Sequence, residues 1–311
     1  MFLQKRTRAL VLALLTLTLT GPADAQTIPR DELLFLTSEW KGERFPDGRP
    51  RVSDDLIRRA ARIGIEEAWT VLQNEGYRNQ FEGNWKQVDD AIPVTGRAVT
   101  AAFLPSRPDV ERQVKARGAA QGRTGDTNAW PIADLQRGDV LVVDGFGKIK
   151  DGTIIGDNLG NAIFTHTGTG VVIDGAVRDL GGLRAIKGFN ALVRDFHPSF
   201  LMDMTLMGHN TPIRIGGAVV LPGDLVISEK TGVLFIPAHL AEKVVETAEF
   251  IGLKDRFGQE SLKSGRFGPG DIDAQWSEPV RQAFMAWLDG QPERGTLTRA
   301  KLNGLLQKRT W

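Results

Sequence analysis

The chain has 311 residues, 41% of them hydrophobic and 25% charged, with 39 basic against 38 acidic side chains. That length buries a substantial core, as one domain with additions or two small ones, and the ordinary composition excludes a disordered chain. The near-neutral balance leaves no electrostatic footprint for nucleic acid, and the absence of cysteine excludes disulfides, thiolate catalysis and Cys-ligated metal.

The first 25 residues differ in kind from the rest. Lys5, Arg6 and Arg8 precede an apolar run over residues 9–19, then Gly21-Pro22 and Ala23-Asp24-Ala25. This reads as a cleavable secretory signal with an A-x-A site, its apolar run too short to span a bilayer. The alternative is a retained anchor. Cleavage removes three of the 39 basic and one of the 38 acidic groups, leaving 36 against 37 and a formal charge of −1 from Gln26 onward. Export without cysteine points to a bacterial periplasm, or an extracellular fate, with no membrane contact after cleavage.

Residues 26–52 form an N-terminal extension whose Gly-, Pro- and charge-rich end, 40–50, reads as a loop or linker. Apolar residues then recur at helical spacing over 53–75, with Ser53 as cap and Gly76 as stop. Residues 89–103 read as a strand entered through Pro93, and 112–128 as a polar loop. The short β-branched runs at 138–144 and 170–174 predict two strands, with a segment of helical length, 158–167, between them. Strand, loop, helix, strand favours a parallel pair joined by a right-handed crossover. Turn signals over 212–237 predict a strand and hairpin pair, followed by a helix over 238–250. Past Gly252 the composition shifts to a Gly-rich stretch, 257–273. Two amphipathic helices follow at 277–288 and 298–306, with Val280, Phe284, Trp287 and Leu288 on one stripe and Leu302, Leu305 and Leu306 on the other.

In the parallel pair, Asp157 opens the connecting helix, and Arg178 and Asp179 stand just past the second strand. All three therefore fall on the carboxyl edge of the sheet, where open α/β sheets bind ligands. Two carboxylates suit Mg²⁺, a hard cation that keeps waters and substrate oxygens in its shell. Asp179 would be the direct ligand and Asp157 would hold a water on the metal. Arg178 would offer its fork of donors to the oxo and carboxylate oxygens of a 2-oxo acid. Asn158 and Leu159 would point free helix N-terminal amides at the carboxylate. The bland alternatives are an Asp that caps a helix and an Arg–Asp surface pair worth about 0–1 kcal/mol. No H-x-x-x-H spacing exists, so His166, His197, His209 and His239 read as core or loop residues, with His209 and Asn210 as pocket-lining alternatives. Glu229 reads as a cap or surface group.

The same residues carry a family resemblance. Asp157, twenty intervening residues, then Arg178-Asp179 match the D/E-X20-R-D pattern of class II pyruvate aldolases such as 4-hydroxy-4-methyl-2-oxoglutarate aldolase, within the RraA-like family. GRAVTAAF, RGDVLVVD, GVVIDGAVRD and PIRIGGAVVLPGDLVISEKTGVLFIP follow in family order, and the resemblance spans about residues 50 to 250. It implies an α/β fold, a swivelling β/β/α or α/β/α-type domain over 53–252, with 253–311 an added C-terminal helical segment. It also implies retro-aldol cleavage of a 4-hydroxy-2-oxo acid with Mg²⁺ or Mn²⁺, the same roles for Asp157, Arg178 and Asp179, and homotrimers or homohexamers. A polar residue near 128, for which Asn128 stands, would help hold substrate. A water held by Asp157, or a carboxylate from a neighbouring subunit, would be the base. Oxaloacetate decarboxylation follows from the same enolate logic. The alternatives are another reaction on sugar or oxo acids, and a non-catalytic binding protein.

Overall fold

The computed structural model describes residues 26–291 and 298–306; the expected secretory signal lies outside them. The chain is tied to the fold from its first described residues, since the His209 N–H donates to the Gln26 carbonyl at 2.7 Å. After α1 (Arg30–Leu36), the expected loop at 40–50 is not simply solvated. It buries Arg49 to 2% exposure, with its guanidinium 2.8 Å from Asp47 and 3.4 Å from Asp139.

Residues 53–75 form two helices instead of one, α2 (Asp54–Ala60) and α3 (Ile65–Asn74). Ser53 caps the first by accepting the Leu56 N–H at 3.2 Å, and Glu229 reaches across to accept the Ile65 N–H of the second at 3.2 Å. Burial raises the pKa of that Glu229 carboxyl. A single periodicity runs through both helices because Leu56, Ala60, Ala68, Val71 and Leu72 all enter one core cluster.

Then come β1 (Phe81–Glu82), β2 (Lys86–Gln87) and β3 (Thr95–Pro105). Residues 108–120 form α4 (Pro108–Ala120), a helix where polarity suggested a loop. Pro108 starts it and only Val114 and Gly118 are buried, so its apolar stripe is too narrow to stand out as periodicity. The chain continues through α5 (Ala129–Ala133), β4 (Asp139–Asp144), α6 (Asp157–Thr167), β5 (Val171–Val177), α7 (Leu180–Ala185) and β6 (Ala191–Phe196). Next are β7 (Met204–His209), β8 (Ile213–Ile215), β9 (Ala218–Val220), β10 (Leu225–Glu229) and β11 (Gly232–Ile236).

A nine-stranded sheet runs in the order β1-β11-β10-β3-β4-β5-β6-β2, with β7 added beside β3. β3, β4, β5 and β6 are parallel neighbours, so the expected parallel pair with a helical crossover is present. Alternate residues of each strand divide between two cores. Val143 and Ile173 face the side holding Ile163 of α6 and Leu183 of α7, whereas Val142 and Val172 face the β8–β9 hairpin. The layers therefore run hairpin, sheet, helices, a β/β/α arrangement with no helix in the core of the hairpin side among the described residues.

After a 3₁₀ turn (Ala238–Leu240), the helix expected to stop at 250 continues as α8 (Ala241–Ser264). Gly252 and Gly258 sit inside it, and Ile251, Leu253, Phe257 and Ser261 keep its buried side continuous. A boundary at 252 thus falls within one helix. The helices α9 (Pro269–Ile272), α10 (Glu278–Leu288) and α11 (Arg299–Leu306) follow. They gather around an aromatic cluster in which the Phe284 ring meets Trp276 at 5.2 Å and Phe257 at 5.4 Å.

Candidate functional site at the carboxyl edge of the sheet

Two loops meet beyond the ends of β4 and β5. The segment leading into α6 runs beside β5: the Ile154 N–H donates to the Ala176 carbonyl, and the Arg178 N–H to the Ile155 carbonyl, each at 3.0 Å. This ladder sets Gly156 and Asp157 next to Arg178 and Asp179, so the two sequence-distant parts of the motif share one place.

Glycines make the approach possible. A Cβ on Gly156 would collide with Asp179 Oδ2, and one on Gly182 would collide with the Asp157 carboxylate. Each acidic side chain therefore rests on the glycine backbone of the other's segment.

Neither aspartate serves as a conventional side-chain cap. Gly156, not Asp157, is the N-cap of α6. Asp179 is the N-cap of α7 but makes no side-chain cap bond, and it holds φ 57°, ψ 43°. That left-handed conformation is disfavoured for a residue with a β-carbon, with aspartate among the types that reach it. It leaves the carboxylate turned to the edge, 36% exposed.

Arg178 is 34% exposed, its Nη1 3.4 Å from Asp179 Oδ2. Its guanidinium stacks over the Phe200 ring at 5.0 Å, an aromatic contact that steadies a cation while leaving its fork open. Phe200 itself is 60% exposed. Nothing in the sequence singled it out, because it lies in the loop between β6 and β7, 22 positions past Arg178.

Two residues expected to contact substrate have partners within the fold. The Asn158 N–H already donates to Asp157 Oδ1 at 2.8 Å, so of the amides expected to be free at this helix start, Asn158 is engaged. Leu159 keeps its position in the first turn of α6. The Asn128 amide donates to the Ile154 carbonyl at 2.7 Å. Asn128 therefore pins the segment that delivers Asp157 with one of its two amide hydrogens.

Of the histidines, His209 is 2% exposed, and burial pushes its pKa down to about 4, against the pull of Asp134. His239 Nε2 lies 3.0 Å from the Tyr77 hydroxyl. Neither reaches the edge. His197 does: it directly follows β6, and its N–H donates to the Val177 carbonyl at 3.0 Å.

No group of three or more His, Asp or Glu side chains gathers as a metal cage among the described residues. Two carboxylates on adjoining segments, with Asp179 36% exposed, nevertheless fit Mg²⁺, which usually takes one or two protein carboxylates and retains waters.

The family model described as RraA-like, Aldolase/RraA, matches residues 50–235. A Deinococcus radiodurans protein provisionally named 4-hydroxy-4-methyl-2-oxoglutarate aldolase is 28% identical over 170 residues, 54% of this chain and 85% of its own. A Halalkalibacterium halodurans protein of the same provisional name is 33% identical over 120 residues, 36% of this chain and 52% of its own. The chain thus spans about half the length of that relative. It likewise spans 46% of an uncharacterized Methanocaldococcus jannaschii protein, which is 32% identical over 97 residues, 31% of this chain. Among solved structures, Streptomyces coelicolor RraAS2, described as an unusual member of the RNase ES inhibitor RraA protein family, superposes with TM-score 0.57. It has 27% identity, over 70% of this chain and all of that one.

Proposed function

From a chain that belongs to the RraA-like family, we propose a divalent-metal-dependent carbon–carbon lyase that cleaves a 4-hydroxy-2-oxo acid to pyruvate and a carbonyl compound. The observation that supports the reading is that Gly156 seats the Asp179 carboxylate and Gly182 the Asp157 carboxylate, with Arg178 3.4 Å from Asp179. Asp179, with Asp157 beside it, would hold Mg²⁺ or Mn²⁺. When bound, the ion supplies the positive charge that lets an enolate form next to the oxo group without a Schiff-base lysine.

The chain's own residues do the rest. Arg178 binds the oxo acid's carboxylate and oxo oxygens through its fork and offsets charge as the C3–C4 bond breaks. Its seat on Phe200 holds it in one orientation. Asn128, by fixing the Ile154 carbonyl, keeps Asp157 in register with Asp179. Loss of CO₂ from oxaloacetate passes through the same enolate, so decarboxylation accompanies the aldolase reaction. Export to the periplasm and assembly as a homotrimer or homohexamer belong to this proposal, on the strength of the Lys5–Ala25 signal pattern and the family relationship.

A regulatory binding role is the second reading, favoured by the likeness to RraAS2. One assay separates them. The purified protein should release pyruvate from oxaloacetate with Mg²⁺ or Mn²⁺, stop on chelation, and lose turnover in Asp179→Ala. Full turnover in that variant, or none in the wild type with either metal, removes the lyase reading.

A further inference from the structure

Beside Arg178 stands a histidine whose ring is held by its own loop. β5 and β6 pair in parallel with Val177 opposite Phe196, and the next residues along the two strands are Arg178 and His197. Parallel neighbours at that spacing lie about 5 Å apart. The loop after His197 then brings the Phe200 ring onto the Arg178 guanidinium, so one short segment lines this side of the site.

Within that segment the Ser199 N–H donates to His197 Nδ1 at 3.1 Å, and the Ser199 hydroxyl lies 2.9 Å from the same nitrogen. The hydroxyl oxygen also accepts the Asp151 N–H at 2.7 Å. The Ser199 backbone N–H can bond to Nδ1 only where Nδ1 accepts. That leaves Nε2, on the side away from Ser199, as the ring's donor.

We propose that His197 is a substrate-binding residue. Its Nε2–H would be a second hydrogen-bond donor to the oxo acid held by Arg178, placed to receive the oxygen on which enolate charge grows. A donor whose ring is held in place by Ser199 stabilises developing negative charge while keeping its proton. The inference rests on the lyase reading and adds a residue to it.

The test uses oxalate, a planar dianion shaped like the enolate of pyruvate, and calorimetry in place of turnover. Wild-type protein with Mg²⁺ should bind oxalate. His197→Phe keeps a ring but removes the donor and should weaken oxalate binding tenfold or more with Mg²⁺ affinity unchanged. Ser199→Ala, which frees the ring to turn, should weaken it by a smaller factor, and this second variant keeps the idea testable should His197→Phe misfold. Oxalate affinity unchanged in either folded variant overturns the role of His197 while leaving the lyase reading standing. A His197→Phe protein that loses Mg²⁺ and oxalate together assigns the residue to structure and overturns the role as well. Failure of the wild type to bind oxalate with Mg²⁺ strikes the lyase reading itself.

Discussion

Gly182 leaves no room for a β-carbon beside Asp157: one built there would collide with the carboxylate, while the neighbouring Gly181 has nothing within 4 Å of its own. The two glycines are adjacent in α7 yet differ in what they touch, so they form a matched pair. Gly182→Ala should push the Asp157 carboxylate out of its present position and lower oxaloacetate decarboxylation about a hundredfold, as loss of a transition-state contact does. Gly181→Ala should leave it within about twofold and, as a Gly-to-Ala change in a helix, keep stability equal or better. Equal effects of the two substitutions on turnover would show that Asp157 does not work from this position.

Arg178→Lys removes the planar fork but keeps the charge. If bidentate recognition of the oxo acid matters, kcat/KM for decarboxylation should fall about a hundredfold while thermal stability stays close to wild type, because the Arg178–Asp179 contact is a third exposed and contributes little to folding. Phe200→Ala removes only the stacking surface and should show mainly as a higher KM. A lysine variant with wild-type kcat/KM would reduce Arg178 to a point charge.

Much of this edge was legible because its signals are local. The β-branched runs that became β4 and β5 and the fixed spacing from Asp157 to Asp179 are visible along the chain, and the parallel pairing that joins them follows from the helix between. What stayed hidden depends on partners far away in sequence. Asn128 spends its amide on a carbonyl 26 residues later, and Phe200 meets Arg178 only because β6 ends beside β5. The break between α2 and α3 escaped notice because both helices feed one core. Gly252 and Gly258 suggested an end to α8 that the aromatic cluster overrides, since burial of Leu253 and Phe257 outweighs about 1 kcal/mol of helix propensity for each glycine.

Phe284 ties the C-terminal helices to α8. It is fully buried and meets the rings of Phe250, Phe257, Trp276 and Trp287. Phe284→Ala should cost about 3–5 kcal/mol, the usual range for an emptied aromatic site. α8 also places Val244 and Val245 in the core shared with α2 and α3. The loss should therefore appear as one denaturant transition moved to lower midpoint, followed by far-UV circular dichroism. A separate early transition, with the main one unmoved, would show instead that the C-terminal helices unfold on their own.

His209 gives the fold a dependence on acid. Buried at 2% exposure, with Nε2 lacking a hydrogen-bond partner and Asp134 3.5 Å from Nδ1, it is held neutral with its pKa pushed down to about 4. The unfolded chain's histidine titrates near its ordinary value of about 6.5. Between those values the unfolded state binds the proton and the folded state does not, so stability is fully present above about pH 6.5 and declines as pH falls toward 4. The difference is at most on the order of 3 kcal/mol. Asp224 acts in the opposite sense: burial raises its carboxyl to about 7, so its contribution is greatest in acid and is lost as pH rises through 7. Comparing wild type with His209→Gln cancels Asp224, which both proteins retain. Urea midpoints measured from pH 7.5 down to 4 should fall more steeply for wild type than for the variant. Parallel curves would mean that the folded protein takes up the proton at His209 as readily as the unfolded chain does.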